Sequence, residues 1–255
     1  MDRIKELALS IRDVEISYRV VKPLKVADLI RRREPADKYF HAVKGISFDL
    51  RQGEIVGIVG KNGSGKSTLL RAIAGIYSPD KGIIETFGHT AGLMAIGVGF
   101  QNVLSGRDNI YLSGMLMGFS KEDIRKKEQE IIDFSELGAF IDEPVESYSS
   151  GMHSKLAFSI TAILQAEIML IDETLSVGDR QFKRKSLAKM KELITRDDTT
   201  VLIVSHSDTT LAELCSRIIW MHDGVIRMDG PAEEVLAAYN AFMDGQANQT
   251  QCRRE

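Results

Sequence analysis

Apolar and polar residues change their spacing several times along this chain, and each change marks an element. LALSIRDVEISYRV (7–20) alternates in the manner of a half-buried strand. GISFDL (45–50) and EIVGIVG (54–60) are short apolar runs, and the second has the near-continuous apolar character of a central parallel strand covered on both faces. A helix is predicted inside GKSTLLRAIAGIY, followed by a turn at Ser78-Pro79-Asp80-Lys81-Gly82. From about 108 to 140 the spacing becomes helical, in NIYLSGMLMGFS and KEDIRKKEQEIIDFSELGAF, with Ser120 and Asp123 placed as a cap and acidic first turn. Beyond lie a helix in SKLAFSITAILQ, a strand in EIMLIDE, a helix in DRQFKRKSLAKMKELITR and a strand in TTVLIVSH. A helix in DTTLAELCSRII, a hairpin in IWMHDGVIRMDG turning at Asp223-Gly224 and a last helix in PAEEVLAAYNAFMDG complete the pattern.

Strands alternating with helices predict an α/β fold, mostly parallel in its sheet with an antiparallel β portion, interrupted by a helical insert. The expected organisation is one domain over 1–255, an inserted helical subdomain over about 102–157, and a C-terminal helix and tail from 231 to 255. The stretch 22–38, basic and carrying two prolines, reads as an excursion between strands.

Composition adds exclusions. The 255 residues are 44% hydrophobic and 27% charged, with 33 basic against 36 acidic side chains and a net charge of −3. No broad basic field exists for nucleic acid. Cys215 and Cys252 fit neither a disulfide framework nor a zinc spacing. The first residues lack a signal-peptide core and no run approaches a membrane span, so an intracellular protein is expected and the sequon at Asn248 is read as accidental.

Chemistry enters at Gly60-Lys61-Asn62-Gly63-Ser64-Gly65-Lys66-Ser67, which matches G-x-x-x-x-G-K-[ST] between a predicted strand and a predicted helix. Glycines let such a loop wrap closely, so that backbone N–H groups converge on phosphate oxygens at a helix N-terminus. Lys66 is expected on the β- and γ-phosphates and Ser67 on Mg²⁺. Asp172, closing an apolar strand, is placed to hold Mg²⁺ through water, and Glu173 to orient and polarise an attacking water. His206, following VLIVS, is a candidate γ-phosphate contact. The segment Tyr148-Ser149-Ser150-Gly151-Met152 opens an apolar helix with two hydroxyls and no base beside them, an arrangement unsuited to nucleophilic catalysis.

Taken in order, the 60–67 loop, Gln101, YSSGM, IMLID with Glu173, Gly178-Asp179 and His206 resemble an ABC transporter ATPase subunit, a P-loop NTPase with a RecA-like core. The resemblance covers essentially the whole chain. It implies that YSSGM is the signature motif usually written LSGGQ, with Ser149, Ser150, Gly151 and Met152 meeting the γ-phosphate held by a second copy; Tyr148, Ser150 and Met152 depart from that form. It further implies ATP contacts across 60–67 and Thr68, Gln101 as the glutamine touching Mg²⁺ and the attacking water, and Asp179 in a loop crossing a dimer interface. Tyr18 is implied as the aromatic on adenine, with Tyr39 and Phe40 as competitors. FSELGAFIDEPVESYSSGMHSKLAFSI and IDETLSVGD resemble exporters of undecaprenyl-linked polysaccharides, and MGFSKEDI, FSELGAFI and SGMHSKLAFSI those of teichoic acid in Gram-positive bacteria. The cofactors implied are ATP and Mg²⁺. The partners implied are a second copy of the chain, two copies of a membrane permease and a lipid-linked glycan, with no nucleic acid, at the cytoplasmic face of the cell membrane. O-antigen or capsule export is the alternative, and small-solute import a more distant one. YLSGMLMGF is equally readable as a permease-docking surface or as insert core, and LIRRREP (29–35) as a solvated basic loop or a lipid contact.

Overall fold

The computed structural model describes residues 6–20, 38–94, 99–172, 179–194, 199–205 and 207–251. Two sheets form the frame. A three-stranded antiparallel sheet has the order β2-β1-β4, from β1 (Leu7–Val20), β2 (Lys38–Arg51) and β4 (Lys81–Glu85). A six-stranded sheet has the order β5-β6-β7-β3-β8-β9, from β3 (Ile55–Val59), β5 (Ala91–Leu93), β6 (Ile168–Ile171), β7 (Thr200–Val204), β8 (Arg217–His222) and β9 (Val225–Pro231). Its strands are parallel except for the β8–β9 hairpin.

The near-continuous apolar runs follow from this layering. Successive side chains of a strand point to opposite faces. Val56, Ile58, Leu202, Val204, Ile168 and Leu170 enter one core with β1, β2 and the helix α1 (Lys66–Ile73). Val59, Val201, Ile203, Met169 and Ile171 enter the other core, against α5 (Arg180–Ile194), α6 (Asp208–Leu214) and α7 (Ala232–Gln251). A third core joins α2 (Gly106–Leu116) and α3 (Lys121–Ser135) to one side of α4 (Ser150–Leu164). Phe158 and Ala162 of α4 face the sheet while Leu156, Ile160 and Ile163 face α2 and α3. A helix enclosed on both sides must be apolar all round, and residues 156–164 are all buried.

Two strands escape the periodicity. β4 is mostly exposed and β5 is only three residues long, so neither carries an apolar run. The helix expected through Ile219 ends instead at Leu214, and β8 begins at Arg217. There the guanidinium pairs with Asp229 at 2.7 Å and with Glu54 at 3.1 Å, while Val56 aligns with Arg217 in the sheet. Tertiary pairing has overridden a helical-looking sequence. The Asp223-Gly224 turn forms as expected, with φ of 49° and 85° at its two residues, suited to the twist of a tight hairpin. Ser120 caps α3 through the Asp123 amide, also as expected. The excursion before Lys38 and the second cysteine, Cys252, lie outside the described residues, while Cys215 is buried.

Strand order decides where chemistry can gather. β7 lies between β3 and β6, all parallel, so their carboxyl ends open on one edge. In open α/β sheets ligands sit at that edge. It receives Gly60 after β3 and Asp172 after β6.

Candidate functional site

The loop from Gly60 to Lys66 is fixed by close packing that only glycine permits at two positions. At Gly60, with φ of 153°, a β-carbon would strike the Met221 carbonyl oxygen; at Gly65, with φ of 99°, it would strike that of Ala42. The β8–β9 turn clamps the loop from behind. Gly224 N donates to Ser64 O at 3.2 Å, and Lys44 N donates to Gly224 O at 2.8 Å. This support was missed in the sequence because an Asp-Gly turn announces a hairpin, not what the hairpin touches.

Lys66 is the second fixed element. Its side chain is buried and its Nζ donates to Gly60 O at 2.6 Å and to Lys61 O at 3.0 Å. Burial pushes its pKa below the ordinary lysine value, against the opposing pull of the Asp172 charge. α1 starts at Gly65 in a left-handed conformation with no side-chain cap and no acidic residue in its first turn. Its amide end therefore faces the cleft with positive partial charge that no acidic side chain of its own first turn quenches. The cleft holds about 380 Å³, with Phe40, Ala42, Lys66, Ser67, Thr68 and Asp172 among its walls. A buried cation, free helix amides, a hydroxyl and a carboxylate on one wall suit a phosphate chain carrying a divalent cation.

Not every expected residue arrives there. Tyr18 is not among the cleft walls; its hydroxyl donates to Thr68 Oγ1 at 3.1 Å and its ring meets Tyr77 edge-on at 6.0 Å. Phe40, half exposed, does line the cleft. Gln101 is exposed and stands at the entrance to α2, held by its backbone: its N–H donates to Asn109 Oδ1 at 2.8 Å. Asn109 Nδ2 in turn reaches the carbonyls of Gln101, Leu104 and Ser105 at 3.1, 3.2 and 2.9 Å. Asn109 is wholly buried, and it too went unread, since a polar residue beginning NIYL looks like a helix start. Glu173 and His206 lie outside the described residues.

The YSSGM segment lies apart. Ser149 caps α4, its Oγ accepting from Met152 N at 3.2 Å, and Ser149 and Ser150 are exposed. Tyr148 turns its ring inward, and its hydroxyl donates to Phe140 O at 2.6 Å. Ser150 and His153 border a shallow depression with Asn102 and Glu146, distinct from the cleft. Gly151 meets no steric constraint: a β-carbon there would come no closer than 3.8 Å to Ser149 Oγ. Asp179 caps α5 by accepting from Gln181 and Phe182 amides at 3.0 and 2.9 Å. The Lys155 ammonium, together with those amides, holds its carboxyl down to about 2.

Among the described residues no helix is long and apolar enough to cross a membrane. The ABC transporter family model matches residues 43–176. A teichoic acids export ATP-binding protein, TagH, of Lactococcus lactis is 45% identical over 86% of this chain and 47% of its own length. An O-antigen export system ATP-binding protein, RfbB, of Klebsiella pneumoniae is 39% identical over 88% of this chain and 89% of its own. The chain thus spans about half of the first relative and most of the second. A dimeric ATP-binding cassette solved with ADP and Pi superposes with a TM-score of 0.65 at 22% identity, over 88% of this chain and 98% of that one, which identifies the fold as that of an ATP-binding cassette. With more than half of its length matched by the family model, the chain belongs to the ABC transporter family.

Proposed function

We propose that this chain binds and hydrolyses ATP to drive export of a lipid-linked wall teichoic acid through a membrane permease. The observation that carries the ATP reading is the meeting, in one cleft, of a buried lysine, an uncapped helix N-terminus and the Asp172 carboxylate. Ser67 and Asp172, with Gln101, would hold Mg²⁺, which when bound neutralises charge on the β- and γ-phosphate oxygens. The backbone of 60–65 and the amides of Lys66, Ser67 and Thr68 would cradle the phosphates, and the Lys66 ammonium would face the transferred group. Glu173 would orient and polarise the attacking water, and His206 would contact the γ-phosphate. Phe40 is the aromatic the cleft geometry favours for adenine, ahead of Tyr18.

The YSSGM segment serves a second copy of the chain. Ser149 Oγ accepts an amide hydrogen within its own helix, which leaves its O–H free to donate to a phosphate oxygen. Gly151 has no need of being glycine within its own chain, as expected if something outside approaches its backbone. Two copies head to tail would therefore complete two composite sites in a closed twofold dimer. Docked on two permease copies at the cytoplasmic face of the membrane, in a Gram-positive bacterium, the helical insert would pass dimer closure to the permease. The name of the Lactococcus relative supports teichoic acid as cargo. That of the Klebsiella relative favours a second reading, export of an O-antigen or capsular polymer by the same mechanism.

Glu173→Gln should lower turnover by about 100-fold or more while ATP binding persists and a dimer accumulates in ATP. Turnover near the wild-type rate would sink the general-base assignment. For cargo, depletion of the protein in its native cells should accumulate polyol-phosphate polymer on a lipid carrier. A polymer of sugars alone would move the assignment to O-antigen or capsule, and no accumulation would reject glycan export.

A further inference from the structure

The end of β1 is pinned beside the cleft by its neighbours on both sides. Ser17 N donates to Asp80 Oδ2 at 2.6 Å, and Asp80 N donates to Glu15 O at 2.8 Å. Ser17 Oγ also lies 2.8 Å from His41 Nδ1 of β2. Tyr18 is thereby held, half-buried, between β2 and the turn that follows α1, with Tyr77 edge-on against its ring at 6.0 Å. From there its hydroxyl reaches Thr68 Oγ1 at 3.1 Å. Thr68 stands in the first turn of α1, whose N-cap is Gly65, and it lines the cleft beside Lys66 and Ser67.

A hydroxyl has one hydrogen to give and two lone pairs with which to accept. At Thr68 one lone pair is taken by the Tyr18 O–H, and among the described residues nothing accepts the threonine's own hydrogen. A hydroxyl that already accepts from a donor cannot aim its hydrogen back at it, so the rotor is restricted to its remaining directions. Phe40, the register partner of Tyr18 on β2, lines the same cleft. We propose that Tyr18 is a positioning residue for the phosphate chain: it fixes the Thr68 hydroxyl so that its hydrogen is offered to a phosphate oxygen in the cleft. The division of labour across the β1–β2 pair is then plain. Phe40 serves the base with its ring, and Tyr18 serves the polyphosphate through its hydroxyl.

This rests on the ATP reading above, and the test separates the two. Tyr18→Phe keeps the ring against Tyr77 and removes only the hydroxyl. In isothermal titration of the full chain with Mg²⁺ present, ATP affinity should fall about fivefold, in the range of one lost hydrogen bond. GTP and inorganic tripolyphosphate should lose the same factor, because the missing group serves phosphate and not the base. In a Thr68→Val background Tyr18→Phe should cost nothing further, since no threonine hydroxyl remains to be positioned. Unchanged affinity in Tyr18→Phe would overturn the proposal. A loss for ATP with none for tripolyphosphate would also overturn it and put the tyrosine on the base. So would an equal loss in the Thr68→Val background, because the hydroxyl would then support the strand and not Thr68. If the wild-type chain bound neither ATP nor tripolyphosphate, and Lys66→Met matched it, the ATP reading itself would fail and take this one with it.

Discussion

Two segments of this chain look alike on paper, each a run of serines and glycines opening an apolar helix, yet the molecule treats them oppositely. The 60–67 loop is locked. Two of its three glycines, Gly60 and Gly65, sit where a β-carbon would hit backbone, its lysine is buried, and the helix it opens leaves its amides without a side-chain cap. The 148–152 segment is relaxed. Its glycine has room for a side chain, its serines face solvent, and Ser149 already caps the helix it opens. The first offers uncapped helix amides and a buried cation to an anion; the second is satisfied within its own helix and keeps a spare donor on its surface. Close backbone packing and unmet hydrogen-bonding capacity, more than composition, separate a pocket from a contact surface.

The widest break in that comparison comes from substituting one group in each segment. Lys66→Met should weaken ATP binding to the isolated subunit by about 100-fold, since a desolvated charge-assisted contact is lost. Ser149→Arg should leave that binding within about threefold yet abolish turnover, because an arginine there obstructs only a second copy. Isothermal titration on the single subunit, paired with a steady-state assay, reads both. Equal loss of monomer binding in the two variants would mean that YSSGM belongs to the chain's own pocket.

Why one segment was easier to read than the other has a physical basis. The spacing of Gly60, Gly65, Lys66 and Ser67 is dictated by local geometry, so motif and structure coincide. The parallel core was equally legible, because strands covered on both faces are apolar nearly throughout, as IVGIV and, after its opening threonine, TVLIV are. What stayed hidden depends on partners distant in the chain. β4 and β5 gain their strand character from pairing with β1 and β6, not from their own residues. The aromatic wall of the cleft is another case. Tyr18 and Phe40 are register partners across β1 and β2, and only the fold reveals that Phe40 reaches the cleft while Tyr18 bonds to Thr68. Asn109 is an ordinary polar residue in sequence, and its importance lies wholly in what surrounds it.

Asn109 sharpens the comparison on a middle scale, since it serves neither segment directly yet secures the loop that begins at Gln101. Asn109→Ala would leave the Gln101 N–H without its acceptor, while the carbonyls of Gln101, Leu104 and Ser105 keep the backbone N–H groups of Leu104, Val145 and Asn109. The cost should be about 1–2 kcal/mol of stability. If that loop places Gln101 for catalysis, kcat should also fall several-fold with ATP affinity little changed. Denaturant unfolding and steady-state kinetics on Asn109→Ala and Asn109→Asp separate the two effects. A variant as stable as wild type would show that the loop closes without this side chain.

The smallest effect expected is also the one that probes the locked loop most directly. Lys66 has its pKa lowered from the ordinary 10.5, mainly by burial. A lowered lysine disfavours the folded charged state, so this group subtracts from stability below its lowered pKa, and the penalty fades as pH rises from there to about 10.5, where the unfolded chain also loses its proton. A phosphate beside Nζ acts in the opposite sense and raises the pKa again. Nucleotide binding should therefore take up a proton over the window between the lowered value in the free chain and the raised value in the complex. Across that window affinity should fall with rising pH, by no more than about tenfold per unit. The buried Cys215 thiol is pushed up to about 12 and stays neutral throughout, so it contributes nothing to the signal. Titrations in two buffers of different ionisation enthalpy, repeated at rising pH until the free chain's Lys66 has lost its proton, measure the uptake. Absence of any uptake across that window would mean that Lys66 does not meet the phosphates, and would leave the helix amides as the whole of the cradle.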